Sequence, residues 1–153
     1  MNLHALKNRE NTEKYPALMK LQLKYDKLLQ ELSKKDLPQD LVIIINTEID
    51  LLNSSFIRNK VFIKDIKKSY NTILKILQKE QKIVPKNYYR NIWLAIGMSS
   101  FGIPLGIAFG LALDNMAFLG IGLPIGMAIG IAVGINFDKK AKAENRQLDI
   151  EVG

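Results

Sequence analysis

Two long stretches without a charged residue dominate the pattern of hydrophobic and polar positions. They run from Asn91 to Leu113 and from Asn115 to Phe137. Small and large residues alternate within both, and a period of two is by itself typical of a strand. A membrane-spanning strand, however, needs only about 9–11 residues and many partners, whereas a spanning helix needs about 20 residues. The pattern therefore predicts two transmembrane helices, at about 91–113 and 117–137.

The alternation gives each predicted helix two faces of small residues. A step of two residues turns a side chain by about 200° around a helix, so one face carries glycines and the opposite face carries alanines, a proline and a serine or glycine. Small residues four positions apart let helix backbones approach closely in lipid. One such face suffices for the two spans to pack on each other, whereas two faces favour a homo-oligomer. The predicted packing residues are Gly102, Gly106, Gly110, Ala108 and Ala112 in the first span and Gly122, Gly126, Gly130, Gly134, Ala128 and Ala132 in the second.

A proline lies near the middle of each span. Pro104 and Pro124 are both about ten residues from the turn, so they are predicted to form kinks at the same depth in the bilayer. Each removes a helix hydrogen bond, so the carbonyls of Ser100 and Gly120 need another partner, such as water in a cavity.

Positive charge flanks the outer ends of the spans, and none lies in the Asp114-Asn115-Met116 link. The positive-inside rule then predicts that both termini lie in the cytoplasm. We expect the membrane to be a bacterial cytoplasmic (inner) membrane. No apolar run near the N-terminus resembles a signal peptide, which agrees with a cytoplasmic N-terminal part. The predicted interface anchors are Tyr88, Tyr89, Arg90, Trp93, Lys139 and Lys140.

Residues 1–90 show a second pattern, an apolar heptad repeat. Its positions are Val42, Ile45, Ile49, Leu52, Phe56, Ile63, Ile66, Tyr70, Ile73, Leu77 and Val84, with Asn59 and Glu80 as polar exceptions, and a shorter repeat runs through Leu18, Leu21, Tyr25, Leu28 and Leu32. We interpret these as helices over 16–35 and 38–84, folded into an antiparallel coiled-coil hairpin. A break at Asn53-Ser54-Ser55 would give a compact three-helix bundle instead.

The predicted fold class is thus all-α: a cytoplasmic helical or coiled-coil domain over 1–90, a transmembrane hairpin over 91–137, and a polar cytoplasmic tail over 138–153.

Composition removes most catalytic chemistry from consideration. The chain has no cysteine and a single histidine, His4, so thiolate metal sites, histidine clusters and catalytic triads are not expected. No phosphate-binding loop, HExxH motif or pair of buried carboxylates is recognisable. We expect no enzyme, no cofactor and no metal. The net charge of +7 comes from lysine-rich helix faces that lack interleaved aromatic residues, so a solvated face or contact with anionic lipid is favoured over nucleic-acid binding.

The alternating glycines resemble those of the c-subunits of rotary ATP synthases, two-helix proteins whose GxGxGxG runs let helices crowd into a ring. The resemblance covers the two spans and implies close packing through Gly102, Gly106, Gly110 and their counterparts. It does not imply ion transport, because that family has a carboxylate in mid-membrane and the nearest acid here, Asp114, lies at the turn. The chain also resembles small bacterial glycine-zipper membrane proteins, a packing class that names no activity.

Two functional hypotheses follow. In the first, hairpins assemble in the bilayer into a homo-oligomeric pore or membrane-perturbing complex, controlled by the cytoplasmic coiled coil, as in a toxin, a defence effector or a holin-like protein. In the second, the hairpin only anchors a coiled-coil scaffold that recruits a cytoplasmic protein partner. The absence of charged pore-lining residues favours the second, and the doubled small faces and the prolines favour the first.

Overall fold

A computed structural model describes residues 2–8, 15–55 and 59–151. The chain is mostly helical, which confirms the all-α class at that level. It divides into two compact units: Met1–Ile83 with Leu148–Ile150, and Val84–Gln147 with Glu151–Gly153.

The described residues of the first unit form three helices: α1 (Pro16–Ser33), α2 (Gln39–Asn53) and α3 (Asn59–Gln81). Proline sets two of their boundaries. Pro16 occupies the first turn of α1, where the missing N–H costs no hydrogen bond. Pro38 precedes α2, and its carbonyl accepts from the amides of Leu41 and Val42 at 3.1 Å. After α3, Lys82 takes a positive φ of 53°, which ends the helix.

The prediction of one helix over 38–84 is wrong, because α2 ends at Asn53. The Ser54 hydroxyl donates to the carbonyl of Leu51 at 3.1 Å, and the Ser55 amide turns back to Leu52. These local bonds compete with continuation of the helix. The alternative break at Asn53-Ser54-Ser55 is therefore what the structure has. Phe56 lies outside the described residues.

Most of the predicted heptad positions do form a core, although between three helices instead of two. The buried members are Leu18, Tyr25, Leu28, Leu32, Ile45, Ile49, Leu52, Ile66, Tyr70, Ile73 and Leu77, while Leu21, Val42 and Ile63 are half-buried. Val84 is buried as well, but it belongs to the second unit. The Tyr25 hydroxyl lies 3.0 Å from the Ser69 hydroxyl inside this core. Burial raises the pKa of Tyr25 to about 12. The periodicity thus predicted most of these buried side chains correctly, whereas the predicted number of helices differs from the observed one.

The second unit holds the apolar helices. Its elements are β1 (Val84–Lys86), α4 (Tyr88–Gly97), a π-helical turn (Met98–Gly102), α5 (Ile103–Ala112), a 3-10 turn (Met116–Phe118) and α6 (Leu119–Ala143). We call Tyr88–Ala112 the first apolar segment and Met116–Ala143 the second. Both are long and apolar enough to cross a membrane.

Two short strands were not predicted. They are β1 and β2 (Gln147–Glu151), and within the second unit the amide of Val84 donates to the carbonyl of Arg146 at 2.9 Å. Residues 138–153 are therefore not simply a polar tail, since α6 continues to Ala143 and β2 follows. Leu148 and Ile150 of β2 are buried, and Asp149 donates its amide to the Glu31 carboxylate at 2.9 Å.

Candidate functional site

The middle of the two apolar segments is held together by direct backbone contact at glycines. A Cβ atom added to Gly126 would lie 2.5 Å from the nitrogen and 2.6 Å from the Cα of Gly102, and would also meet the carbonyl of Gly97. A Cβ at Gly122 would lie 2.6 Å from the Cα of Gly106. Since real Cβ contacts are longer than about 3 Å, no side chain fits at these positions without moving the backbones apart.

The same contact continues toward the ends of the segments that lie away from the turn. A Cβ at Gly130 would meet the carbonyl oxygen of Trp93 and lie 2.8 Å from its carbon, and one at Gly134 would lie 2.5 Å from the Cα of Arg90. The contacts pair low numbers in the first segment with high numbers in the second, so the segments run antiparallel. The predicted glycine faces of both spans are thus turned toward each other within one chain.

The opposite faces have no such partner. Around Gly120 an added Cβ would meet nothing within 4 Å. Large apolar residues on either side are also uncovered, with Ile107 41% and Ile129 38% exposed. The uncovered small residues are Ser100, Pro104, Ala108 and Ala112 in the first segment and Gly120, Pro124, Ala128 and Ala132 in the second.

The two prolines have different local structures. Pro104 lies in the first turn of α5, directly after the π-helical turn Met98–Gly102. A proline removes the hydrogen bond to Ser100 and its ring displaces that carbonyl, which accounts for a widened turn at this place. The Ser99 hydroxyl donates back to two carbonyls of the preceding turn, at 3.0 and 3.1 Å. Pro124, by contrast, lies inside the continuous helix α6.

The link between the segments is a compact turn built by its two polar residues. Asp114 has a φ of 47°, a left-handed conformation that ends α5, and the following amide of Asn115 donates to the carbonyl of Gly110 at 2.9 Å. The Asn115 side chain then accepts from the amide of Ala117 at 2.9 Å and caps the next helical turn. Asp114 is exposed in this turn and lies at no site inside the apolar pair.

At the other end, a buried carboxylate from α6 caps the start of α4. Asp138 accepts from the amides of Tyr89 at 3.1 Å and Arg90 at 3.0 Å and is 8% exposed. The residue before α4, Asn87, makes no side-chain cap of its own. A carboxylate at a helix N-terminus satisfies orphan amides and interacts favourably with the helix dipole. Sequence reasoning missed this role, although Asp138 is the first charge after the second uncharged run.

Aromatic rings gather at this same end. Trp93 stacks on Phe137 with ring centroids 5.7 Å apart and planes 8° apart, and Tyr89 lies 5.7 Å from the same ring. Tyr88 meets Tyr89 edge-on at 5.2 Å. The predicted anchors Tyr88, Tyr89 and Trp93 therefore lie together, whereas Lys139 and Lys140 are exposed on α6.

Helix α6 ends shortly before Asn145, which takes the left-handed conformation that glycine usually adopts at helix C-termini. Asn145 has a φ of 56°, its amide donates to Lys142 at 3.1 Å, and the amide of Arg146 donates to Ala141 at 2.8 Å. This pair of bonds satisfies the last carbonyls of the helix. The Arg146 guanidinium also donates to Glu144 at 2.8 Å, which lowers the pKa of that carboxyl group.

The chemistry of the apolar pair is that of close packing between apolar helices. Its two uncharged runs contain no ionisable side chain. The nearest ones are Tyr88, Tyr89 and Arg90 before the first run, Asp114 at the turn and Asp138 at the cap. Among residues 2–8, 15–55 and 59–151, no group of three His, Cys, Asp or Glu side chains is placed to hold a metal ion.

Comparison of the chain with protein-family models, curated proteins and solved structures finds no match in any of the three.

Proposed function

We propose that the two apolar segments form a membrane hairpin and that several copies assemble in the bilayer into a pore or membrane-perturbing complex. The observation that carries the proposal is the unequal use of the two small faces. The glycine face of each segment makes backbone contact within the chain, while the opposite face, which also consists of small residues and a proline, is uncovered. Small residues four positions apart let a second helix pack against that face in lipid, although their side chains hold it farther away than the inward glycines hold the two segments.

Burial supports the membrane part of the proposal. Only 17% of the most apolar window in the first segment and 22% of that in the second are buried. A core helix of a water-soluble protein would hide most of such a window, because apolar surface is costly in water. Lipid or further copies of the chain are the surroundings in which this surface is stable.

The two prolines of the apolar segments favour a pore over a simple membrane anchor. Pro104 and Pro124 are exposed on the uncovered side of the segments and have no amide hydrogen for a helical bond, and in an assembly the carbonyls that they cannot bond can face water in a lumen. The orientation follows from the flanking charges: both termini in the cytoplasm, and the turn at Asn115 outside. In intact cells, a cysteine replacing Asn115 is expected to react with an impermeant maleimide, and a cysteine at Lys142 is not.

Release of a dye from liposomes tests the function. The purified chain is reconstituted into phosphatidylethanolamine and phosphatidylglycerol vesicles that contain carboxyfluorescein, and its insertion is verified by flotation. We expect release by the natural chain and loss of release with Ala108→Leu/Ala128→Leu, which fills the uncovered small faces. The double variant Ile107→Leu/Ile129→Leu is the matched control, since it alters neighbouring exposed positions at constant volume. An inserted chain that releases no dye would contradict the pore.

A membrane-anchored scaffold is the second candidate. It is favoured by a specific feature of α2, whose outward side exposes Ile43 by 56%, Ile44 by 44% and Leu51 by 62%. Exposed apolar residues of this kind are typical of surfaces that bind another protein. Flotation without dye release, together with a soluble partner that binds the natural chain but not Leu51→Asp, would support this function.

A further inference from the structure

Residues 2–8 form an extended segment without helix or strand that lies along α2, and we call this segment the strap. Leu6 is its anchor in the core of the first unit and is 7% exposed, and Leu3 packs against the same core. The remaining side chains of the strap are exposed. Most of its polar contacts are made by its backbone.

Two asparagines of α2 bind the strap through its peptide groups. The side-chain amide of Asn46 accepts from the amide of His4 at 2.8 Å and donates to the carbonyl of Asn2 at 3.0 Å. Asn53 repeats the arrangement, accepting from Lys7 at 2.8 Å and donating to Ala5 at 3.0 Å. Each carboxamide thus satisfies one donor and one acceptor of the strap, two residues apart.

The spacing of the two sites matches the strap. Asn46 and Asn53 are seven residues apart on a helix, a distance of about 10.5 Å along its axis. The strap positions they bind differ by three residues, and three residues of extended chain cover about 10 Å. Leu3 and Leu6 share this three-residue interval. Between the two asparagines, Nδ1 of His4 lies 2.8 Å from a carboxylate oxygen of Asp50.

We propose that this surface of α2 is a binding site for an extended peptide segment, and that the strap of a second copy can fill it in place of the chain's own. The asparagines bind peptide groups, so the contacts depend on an extended backbone with a leucine in the Leu6 position and are independent of covalent linkage. Exchange between copies re-forms every one of these contacts, which makes it a low-cost route to association. The polar contacts are exposed to solvent, so water can replace them while a strap leaves. This proposal concerns the first unit and does not depend on pore formation.

Crosslinking of mixed single-cysteine variants tests the exchange. The natural sequence contains no cysteine, so introduced thiols are the only ones present. Full-length chains with His4→Cys are mixed with chains carrying Asp50→Cys and treated with a short bis-maleimide. We expect a crosslinked dimer of the two variants, at several times the yield of a control mixture in which Lys64→Cys on α3 replaces Asp50→Cys. A crosslink that forms only within the double variant His4→Cys/Asp50→Cys, with no mixed dimer above the control, would overturn exchange.

Binding of a labelled peptide with the sequence of residues 1–8 tests the site itself. The full chain carrying Leu6→Asp loses its own anchor, so we expect it to bind the peptide at least about tenfold more tightly than the natural chain, whose linked strap competes. Adding Asn46→Ala/Asn53→Ala is expected to abolish binding, and Asn71→Ala on the exposed side of α3 is the control. A helical Leu6→Asp chain that fails to bind, or equal binding after loss of both asparagines, would refute the site. If Leu6→Asp does not fold, the crosslinking experiment still tests the exchange, because His4→Cys and Asp50→Cys replace exposed residues and leave the core unchanged.

Discussion

The replacement of Gly126 by alanine is the sharpest perturbation of the apolar pair. An alanine Cβ there would lie 2.5 Å from the Gly102 nitrogen and 2.6 Å from the Gly102 Cα. Ordinary contacts begin near 3.4 Å, so the two backbones have to separate by nearly 1 Å. Both neighbouring atoms belong to backbone, which cannot swing away as a side chain can.

The chain provides a matched control six residues earlier. Gly120 lies in the same helix, but an added Cβ meets nothing within 4 Å. Alanine is favoured over glycine inside a helix by about 0.8–1 kcal/mol, a gain that both variants share. Overpacking at Gly126 costs about 1–3 kcal/mol. We therefore expect Gly126→Ala to be less stable than Gly120→Ala by about 1–3 kcal/mol, with Gly120→Ala equal to or above the natural chain.

Fluorescence of the single tryptophan measures this difference. Trp93 stacks on Phe137 across the pair, so its emission reports separation of the two segments. The three chains are unfolded by raising the fraction of sodium dodecyl sulfate in mixed micelles with dodecyl maltoside. A lower transition for Gly126→Ala than for Gly120→Ala is the expected result. Coincident transitions of the two variants would show that the close backbone contact at Gly126 does not hold the segments together.

Three further outcomes are expected in the polar and buried parts of the chain. Asp138→Ala removes the carboxylate cap of α4 and is expected to cost about 1–2 kcal/mol, seen as faster amide hydrogen exchange at the start of that helix and nowhere in α3. The hydrogen bond from the Lys34 ammonium is the main cause of the lowered pKa of Glu31. The Glu31 carboxylate therefore stabilises the fold above its usual pKa near 4.5, and this stabilisation is lost as the pH falls through the lowered pKa. Denaturation curves of the natural chain and Glu31→Gln should differ at pH 7 and converge in acid. Tyr25→Phe leaves the buried Ser69 hydroxyl without its partner and is expected to cost about 1–3 kcal/mol, and an equal melting temperature would contradict a stabilising bond.

Much of the helical architecture could be predicted because it follows from periodic burial. The heptad positions of the first unit, such as Ile45 and Ile73, are buried as their spacing requires. The break after Asn53 was harder to decide, because local side-chain bonds compete there with a continuing apolar pattern and the balance is small. Asn53 also binds the strap, a contact between residues far apart in sequence that no local pattern reveals.

The candidate site was predictable in its residues but not in their partners. Alternation marked two small faces on each span, and composition cannot say which face packs within the chain. The structure turns the glycine faces inward, and the reason is physical: only glycine permits the contacts seen at Gly126 and Gly130, whereas alanine suffices where no backbone approaches. The cap at Asp138 was missed because the amides that donate to it belong to a helix far away in sequence. The strand at the C-terminus did leave a signal, the strict alternation in Gln147–Glu151.

The stoichiometry of the chain in lipid decides whether the uncovered small faces bind further copies. The natural chain, Ala108→Leu/Ala128→Leu and the control Ile107→Leu/Ile129→Leu are placed in lipid nanodiscs, and their masses are measured by native mass spectrometry. Self-association through the uncovered small faces predicts one discrete oligomer for the natural chain and the control, and smaller species for the alanine variant. A natural chain that is monomeric at every protein-to-lipid ratio, or an alanine variant with an unchanged oligomer, would contradict the account.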